Sequence, residues 1–234
     1  MLSDIATNLA AVKERIRNAA VRVGRSPDEV KLIAVSKTHP ANMLREAMKA
    51  GIACFGENKV QEAEGKIADI GRNTAEWHLI GHLQSNKARK AVQLFDMIHS
   101  VDSIELAKRL ERICIDEGRA ELPVLVQVDL AGEETKSGIG EDQLGELSAF
   151  LKSRKRLKWK GLMVLPPFYD DPETTRPYFV RLRELRDRMA EDGVFNGKGE
   201  LSMGMSHDLE IAIEEGATMV RVGTAVFGAR EYPQ

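Results

Sequence analysis

The stretch Lys31–Pro40, KLIAVSKTHP, decides the fold of this chain. Its apolar run from Leu32 to Val35 predicts a buried strand, and Pro40 is typical of the first turn of a helix. Lys37 stands between the two elements, where the strand emerges at the edge of the fold. An amine that is partly withdrawn from water loses its proton more readily and can condense with an aldehyde as a Schiff base. The stretch therefore predicts a strand–loop–helix unit with a reactive lysine, and a carbonyl compound as its ligand.

The same alternation of apolar runs and helical patterns continues along the chain. We expect eight strands, at Lys31–Ser36, Ala53–Phe55, Trp77–Ile80, Met97–Ser100, Leu122–Asp129, Leu157–Met163, Glu200–Met203 and Thr218–Val222. Helical patterns lie between most of them, at Ala41–Ala50, Glu57–Ile70, Ser85–Leu94, Ser103–Glu117, Asp142–Ser153, Pro172–Ala190 and His207–Glu215. Three of these helices are followed by a glycine suited to a left-handed cap, namely Gly51, Gly118 and Gly216. A further amphipathic helix precedes the first strand, with apolar positions Ile5, Leu9, Val12 and Ile16.

This repeated alternation is typical of a parallel (β/α)8 TIM barrel, here with the first helix as an extra element. A doubly wound open sheet is the competing architecture. Neither a linker nor a low-complexity stretch divides the sequence, so we expect residues 1–234 to form one domain.

The composition narrows the class of protein. The 234 residues are 43% apolar, which suffices for one large core. Lys and Arg number 34 against 36 Asp and Glu, so the formal charge is −2 and gives no bulk electrostatic reason to expect nucleic acid or an anionic membrane as partner. Cys54 and Cys114 form no CxxC pair, and the charged N-terminal segment is typical neither of a signal peptide nor of a membrane span. We expect a reduced, cytoplasmic protein.

The ends of the last two strands indicate a phosphate site. They read Ser202-Met203-Gly204-Met205-Ser206 and Arg221-Val222-Gly223-Thr224. We expect Ser206 to cap the helix that follows it, and Gly223 to let the backbone approach a ligand closely. Barrels often bind phosphate with the loops after strands seven and eight. Turns of this kind favour Gly and Ser even without a ligand, so it is their combination with Lys37 that indicates one small cofactor.

Two further positions carry side chains whose roles stay open. His78 and His82 are four residues apart, but Gly81 and the β-rich run argue against a helical metal pair, so we expect His78 inside or at the rim of the barrel and no metal site. Lys136 follows the fifth strand, where it is either a rim lysine that steers an anionic ligand or a solvated loop residue.

Six segments carry a resemblance to a known family. They are AVSKTHP (34–40), FGENKVQEA (55–63), WHLIGHLQSNKAR (77–89), KSGI (136–139), GLM (161–163) and LSMGMSHDLEIAIEEGATMVRVGTAVFGAR (201–230). The chain resembles the pyridoxal phosphate (PLP) homeostasis proteins of the YggS/PROSC type over nearly its whole length. The resemblance implies the PLP fold-type III barrel, similar to the N-terminal domain of alanine racemase. It also implies a protein that holds PLP for intracellular PLP homeostasis, without turnover of its own.

The resemblance assigns roles to the residues at the strand ends. It implies the Schiff base at Lys37, phosphate contacts from Ser206, Gly223 and Thr224, and Ser202 close by. Arg221 matches the arginine that faces the pyridine nitrogen in the related racemases. A protonated guanidinium cannot take up a proton, so the nitrogen beside it would stay unprotonated and the cofactor would be a poor electron sink. A salt bridge with a nearby acid is the alternative for Arg221.

Two residues of these segments keep more than one interpretation. Asn58 can donate to the phenolic oxygen of the cofactor, cap the second helix, or do both, and capping is the expectation from the residues alone. His82 departs from the family, which often has proline there.

We compare three functions. A PLP carrier needs no more than the binding residues. A racemase or decarboxylase of the same barrel class needs a second base opposite Lys37, in the racemases a tyrosine from an additional domain. We expect no such domain here, and the tyrosines are Tyr169, Tyr178 and Tyr232. A cofactor-free aldolase needs an acid near the lysine, for which Glu57 and Asp129 are the candidates. We favour the carrier, as a monomer, with PLP-dependent apoenzymes as candidate recipients.

Overall fold

The computed structural model describes residues 5–132 and 137–228 of the chain. Within these ranges eight parallel strands close into one barrel, in which each strand pairs with its neighbours in the chain and the last pairs with the first. The strands are β1 (Lys31–Val35), β2 (Cys54–Glu57), β3 (Glu76–Leu79), β4 (Met97–Val101), β5 (Leu122–Gln127), β6 (Leu157–Met163), β7 (Glu200–Met205) and β8 (Met219–Val222). The predicted (β/α)8 barrel is confirmed, and the open sheet is excluded.

Helices cover the outside of the barrel. They are α1 (Ile5–Arg22), α2 (Ala41–Lys49), α3 (Val60–Ile70), α4 (Ala88–Leu94), α5 (Ile104–Asp116), α6 (Leu144–Lys152), α7 (Arg176–Glu191), α8 (Leu209–Glu214) and α9 (Thr224–Phe227). Short 3-10 turns lie at Pro27–Glu29, Ser85–Lys87, Glu141–Gln143 and Pro172–Thr175. The three predicted glycine caps all have positive φ, at Gly51, Gly118 and Gly216. No helix in these described ranges is both long and apolar enough to cross a membrane.

Two elements differ in kind from the prediction. Glu57, predicted to begin a helix, is the last residue of β2 and pairs with Leu79, and the helix starts only at Val60. The run Gly56-Glu57-Asn58 looks like a turn in sequence, but its glutamate is fully buried and its strand continues. The short helix α9 was not predicted, because its four residues follow β8 almost directly.

Side chains alternate between the inside of the barrel and the layer beneath the helices, because successive strand residues point to opposite faces. A larger apolar cluster lies beneath the helices, where Phe55 and Trp77 stack with ring centroids 5.4 Å apart. A smaller apolar cluster consists of inward-facing residues, namely Ile33, Cys54, Met97, Leu125, Met163 and Met219. Other inward positions carry the polar residues Glu76, His78, His99, Ser202 and Arg221. The barrel interior is therefore polar at several of its positions, whereas bulky branched apolar residues dominate most such interiors.

The extra helix α1 is attached to the last part of the barrel. Its buried face confirms the predicted amphipathic pattern, with Ile5, Leu9, Val12 and Ile16 all buried. Polar bonds add to this packing: the Asn8 side-chain amide donates to the carbonyl of Val226 at 3.0 Å, and the Arg15 guanidinium donates to the carbonyl of Ser206 at 3.0 Å. Arg15 also forms a two-bond ion pair with Glu210 of α8. The helix thus braces the loops that follow β7 and β8.

Candidate functional site

A cavity of about 500 Å³ opens at the carboxyl ends of the strands. Its volume lies in the range of small-molecule sites, and its position is the one that barrel enzymes use. Six of the seven cofactor-binding residues predicted from sequence line it: Lys37, Asn58, Ser206, Arg221, Gly223 and Thr224. The seventh, Ser202, is fully buried behind Arg221. The geometry therefore brings the predicted residues together, while their contacts with a ligand stay a prediction.

The backbone around Lys37 is held from behind by a buried polar cluster. Lys66 Nζ of α3 donates to the carbonyl of Ser36 at 2.6 Å and to Glu57 Oε1 at 2.7 Å. The Ser36 hydroxyl donates to the same carboxylate oxygen at 2.6 Å. Burial raises the pKa of Glu57, and the charge and hydrogen bond of Lys66 oppose that shift. Since Ser36 directly precedes Lys37, the cluster fixes the direction in which the Lys37 side chain leaves the strand.

Thr38 gives the Lys37 turn an unusual backbone. Its φ is +69°, in the left-handed region that a β-branched residue rarely adopts. The Glu62 carboxylate accepts a hydrogen bond from the Thr38 N–H, which compensates for the strain. Such conformations cost about 1–3 kcal/mol and persist where the surroundings require them. Here the turn places Lys37 in the cavity, half-buried, and His39 beyond it.

Neither acid considered for cofactor-free aldol chemistry reaches the cavity. Glu57 is bound to Lys66 and Ser36 on the side of β2 that faces α3. Asp129 Oδ1 accepts the backbone N–H groups of Ala131 and Gly132, both at 3.0 Å, and so closes its own loop. The cofactor-free aldolase therefore loses its two candidate acids.

The loops after β7 and β8 meet at a side-chain bridge. The prediction that Ser206 caps the next helix is wrong, because α8 begins at Leu209 with Asp208 in the cap position. Ser206 Oγ instead accepts the backbone N–H of Ala225 at 3.3 Å, across to the first turn of α9. The reason is that a turn separates Ser206 from α8, which lets its hydroxyl face the neighbouring loop. We call Ser206, Gly223 and Thr224 the phosphate cradle.

Gly223 leaves open space in this cradle. An added Cβ there would meet only Val35, at 3.4 Å, which is an ordinary contact distance. Protein packing therefore does not require glycine at this position, whereas a ligand that approaches the backbone would. Backbone N–H groups at the start of a helix, here α9, point away from it and suit an anion.

Arg221 lies on the floor of the cavity and is almost wholly buried. Its Nη1 donates to Ser202 Oγ at 2.7 Å and its Nη2 to the carbonyl of Val164 at 2.9 Å. Burial lowers the pKa of the guanidinium to about 10, so the group is still protonated at neutral pH. Among the described residues no carboxylate forms an ion pair with Arg221, so the salt-bridge alternative finds no partner there.

Asn58 and His82 lie on the opposite wall of the cavity. The prediction that Asn58 caps the second helix is wrong, since Lys59 occupies the cap position without a side-chain bond. The backbone of Asn58 instead packs on Gly81, where a Cβ would lie 2.4 Å from the Asn58 carbonyl oxygen. His82 Nδ1 is 3.2 Å from Asp102 Oδ2, and its ring is half exposed at the cavity mouth. Lys136 lies outside the described residues.

Several lining residues were missed by the sequence reasoning. His39 stacks on Phe227 with centroids 4.8 Å apart, and His207 lies 5.4 Å from the exposed ring of Phe168. The side-chain amide of Gln127, at the end of β5, donates a hydrogen bond to the carbonyl of Ser137. Gln127 could have been predicted as a lining residue because it ends a strand. The stacked rings could not, because only the folded loops bring them together.

The donor set fits an anionic aldehyde cofactor such as PLP. The lining offers one amine (Lys37), one guanidinium (Arg221) and the hydroxyls of the phosphate cradle, and none of its described members is acidic. Cations and hydroxyl donors suit phosphate, and an amine suits an aldehyde. The residues present therefore fit the group that the resemblance implied.

Comparison with known proteins finds relatives along nearly the whole chain. The model of the alanine racemase N-terminal domain matches residues 7–231. The chain is 45% identical to the pyridoxal phosphate homeostasis protein of Escherichia coli strain K12, over 99% of both chains. It is 42% identical to that of Aquifex aeolicus, over 96% of this chain and 97% of the relative. The structure of PipY from Synechococcus elongatus PCC7942 with PLP bound has 41% identity and a TM-score of 0.80, covering 96% of this chain and all of PipY.

Both lines of evidence lead to one classification. The closed barrel with its extra helix is the alanine racemase-like fold of type III PLP proteins, and the curated relatives match along their full length. The chain belongs to the pyridoxal phosphate homeostasis protein family.

Proposed function

We propose that this protein binds PLP in the barrel cavity and serves as an intracellular reserve of the cofactor, without turnover of its own. The observation that carries the proposal is the convergence of Lys37 and the phosphate cradle on one cavity. These two features come from the two ends of the chain and meet because β1 pairs with β8. The PLP bound to PipY and the names of the relatives support the same function.

Each lining group then has a defined task. Lys37 Nζ is the attachment point of the cofactor, Ser206 and Thr224 hold its phosphate, and Gly223 lets that phosphate approach the backbone. Arg221 would meet the pyridine nitrogen and keep its own proton there, and Asn58 would donate to the phenolic oxygen. When bound, PLP supplies an aldehyde for amines and a ring that can stabilise negative charge.

Arg221 restrains the chemistry of the site. Its guanidinium donates and cannot accept a proton, so it does not leave a positive charge on the ring nitrogen. Arg221 would therefore leave the bound ring a weaker electron acceptor. This property suits a protein that stores the cofactor rather than one that turns over amino acids.

A PLP-dependent racemase or decarboxylase is the second candidate, because three histidines line the cavity. Each has a neighbour: His39 stacks on Phe227, His82 contacts Asp102, and His207 contacts the carbonyl of Asp170 at 3.1 Å. Tyr169 and Tyr178 bond to each other at 2.9 Å and do not belong to the lining. Tyr232 lies outside the described residues. The reserve is the better-supported function, because among the described lining residues the candidates for a second base are these engaged histidines.

The experiment is a spectroscopic titration of the apoprotein with PLP, followed by incubation of the loaded protein with a panel of D- and L-amino acids. We expect stoichiometric uptake and no sustained racemisation or decarboxylation. Transfer of PLP is then measured by adding a PLP-dependent apoenzyme and recording the activity that it recovers. Such an apoenzyme is the recipient that we expect in the cytoplasm. Sustained turnover by wild type that is absent from Lys37→Ala would contradict the storage role, and absence of uptake would contradict PLP binding altogether. Light scattering of the same samples tests the expected monomer.

A further inference from the structure

A continuous chain of hydrogen bonds runs along the inside of the barrel. Lys31 Nζ contacts Glu76 Oε1 and Oε2 at 3.0 and 2.9 Å, and Glu76 Oε1 lies 2.8 Å from His78 Nε2. His78 Nδ1 lies 2.8 Å from His99 Nε2, and His99 Nδ1 lies 2.9 Å from Ser202 Oγ. Ser202 Oγ then accepts a hydrogen bond from Arg221 Nη1 at 2.7 Å. We call Glu76, His78, His99 and Ser202 the interior chain.

The two ends of the interior chain lie at opposite mouths of the barrel. Lys31 and Glu76 are the first residues of β1 and β3, and their side chains are 42% and 38% exposed. Arg221 lies near the end of β8 on the cavity floor. Between them His78, His99 and Ser202 are fully buried. The chain therefore links the solvent at the amino-terminal mouth with the cavity at the other.

An acceptor at one end, Glu76, and a donor at the other, Arg221, impose one direction on all the hydrogen bonds. Glu76 is ionised and can only accept, so His78 Nε2 carries a proton and donates it. Arg221 can only donate, so Ser202 Oγ accepts from it and turns its own hydroxyl proton towards His99 Nδ1. His99 then donates from Nε2 to His78 Nδ1. With both imidazoles neutral, every contact has one donor and one acceptor.

The opposite direction of these hydrogen bonds leaves the Ser202 hydroxyl proton without an acceptor among the described residues. If His78 donated from Nδ1, His99 would accept at Nε2 and donate from Nδ1 to Ser202 Oγ. The Ser202 hydroxyl would then face two donors, and its proton has no other acceptor among the described residues. Burial lowers the pKa of His99 well below its ordinary value, which favours the neutral ring that the first arrangement needs.

A metal site is a weaker explanation for the side chains at the solvent-exposed end of the interior chain. Ligand atoms of Cys54, Glu76 and His78 lie within 4.8 Å of one another. The Lys31 ammonium, however, bonds to both oxygens of Glu76, and burial raises the pKa of the Cys54 thiol so that it stays protonated. Both features disfavour a cation at this position.

We propose that Glu76, His78 and His99 are positioning residues, which from the far mouth of the barrel orient the Ser202 hydroxyl and so hold Arg221 in place on the cavity floor. The consequence of this positioning for the cofactor rests on the proposed function, in which Arg221 is the group that meets the pyridine ring. None of the three touches the cavity. They act by fixing which way the hydroxyl of Ser202 points.

The first test needs no cofactor. 15N NMR of the imidazole nitrogens in the apoprotein should show that His78 and His99 are neutral rings with the proton on Nε2. A proton on Nδ1 of either ring, or a charged His99 at neutral pH, would overturn the proposal.

The second test uses paired variants in the apoprotein. Glu76→Leu removes the acceptor, so His99 should lose its single tautomer and the Arg221 side-chain N–H should exchange with solvent about tenfold faster, the effect of one net hydrogen bond. Glu76→Gln keeps an acceptor oxygen for His78 and should restore both signals. Lys31→Met, at the same mouth, should leave them unchanged. Wild-type signals in Glu76→Leu would overturn the proposal.

Ser202→Ala gives an independent reading if Glu76→Leu does not fold. It removes the acceptor of Arg221 directly and should speed the same N–H exchange, while unchanged exchange would overturn the proposal. In PLP-loaded protein, the nitrogen shift of the pyridine ring should move in Glu76→Leu and return in Glu76→Gln. If wild type takes up no PLP, the proposed function fails, while the imidazole and Arg221 signals of the apoprotein still decide this inference.

Discussion

Lys66 Nζ donates a 2.6 Å hydrogen bond to the backbone carbonyl of Ser36, the residue directly before Lys37. The same ammonium bonds to the fully buried Glu57 at 2.7 Å and to Glu62 at 2.6 Å. Glu62 in turn accepts the N–H of Thr38, on the other side of Lys37. One lysine of α3 thus holds both sides of the turn that presents another lysine to the cavity.

Replacement of Lys66 should expose how much this cluster matters. Lys66→Met leaves the Glu57 carboxylate buried without its cation, which should lower the free energy of unfolding by about 3–5 kcal/mol. Chemical denaturation measures the change. The double variant Lys66→Met/Glu57→Gln removes the unpaired charge and should be more stable than the single one. Equal stability of the two variants would show that the buried charge is not the cause.

The phosphate cradle should discriminate between PLP and pyridoxal, which lacks the phosphate. Ser206→Ala combined with Thr224→Ala should weaken PLP binding by about tenfold or more, because hydrogen bonds to a charged group are lost. Pyridoxal binding should stay at the wild-type level. Equilibrium dialysis with both compounds provides the measurement, and undiminished PLP binding would place the phosphate elsewhere.

Helix α1 should affect the cofactor through Arg15, although it lies outside the barrel. Arg15→Ala removes the bonds to the Ser206 carbonyl and to Glu210, so the cradle loop loses its brace. We expect PLP to bind roughly three- to tenfold more weakly, the effect of about one hydrogen bond. Arg17→Ala is the matched control, since Arg17 pairs with exposed Glu14 on the same helix. Equal binding by the two variants would remove the proposed brace.

The Glu76 carboxylate should make stability depend on acid pH. The hydrogen bond from His78, followed by that from Lys31, outweighs burial and lowers the pKa of Glu76 from 4.5 to about 2. The folded state thus binds this proton less readily than the unfolded chain. The extra stability should be complete above about pH 4.5 and be lost as the pH falls towards 2. Denaturation of wild type and Glu76→Gln across this interval should show their difference shrinking, and a constant difference would contradict the assignment.

Sequence reasoning predicted the elements better than the contacts between them. Short apolar runs indicated the strands and helical spacing of apolar residues indicated most helices, because burial against a core imposes these patterns. Lys37 and the cradle were predicted from their places at strand ends, where barrel sites lie, whereas the role of Arg221 came from the family resemblance. The partner of Ser206 could not be predicted, because it lies 19 residues away in the first turn of α9. A hydroxyl before a helix looks like a cap in sequence whether or not it becomes one.

The interior chain shows the same limit more clearly. His78 and His99 occupy alternate positions of strands otherwise rich in apolar residues, so their inward direction could be predicted. Their contact with Ser202 and Arg221 could not, since it joins β3 and β4 to β7 and β8 across a closed barrel. Closure is a property of the whole sheet, and no local pattern contains it.

Reduction with borohydride reveals which residue carries the cofactor, and we expect it to be Lys37. PLP-loaded protein is reduced, digested and analysed by mass spectrometry for the phosphopyridoxyl label, with Lys37→Ala treated in the same way. The label should lie on the Lys37 peptide of wild type and be lost from Lys37→Ala, which should keep its fold because the residue lies at the functional rim. A label carried by other lysines in wild type, or kept at wild-type yield in Lys37→Ala, would contradict that expectation.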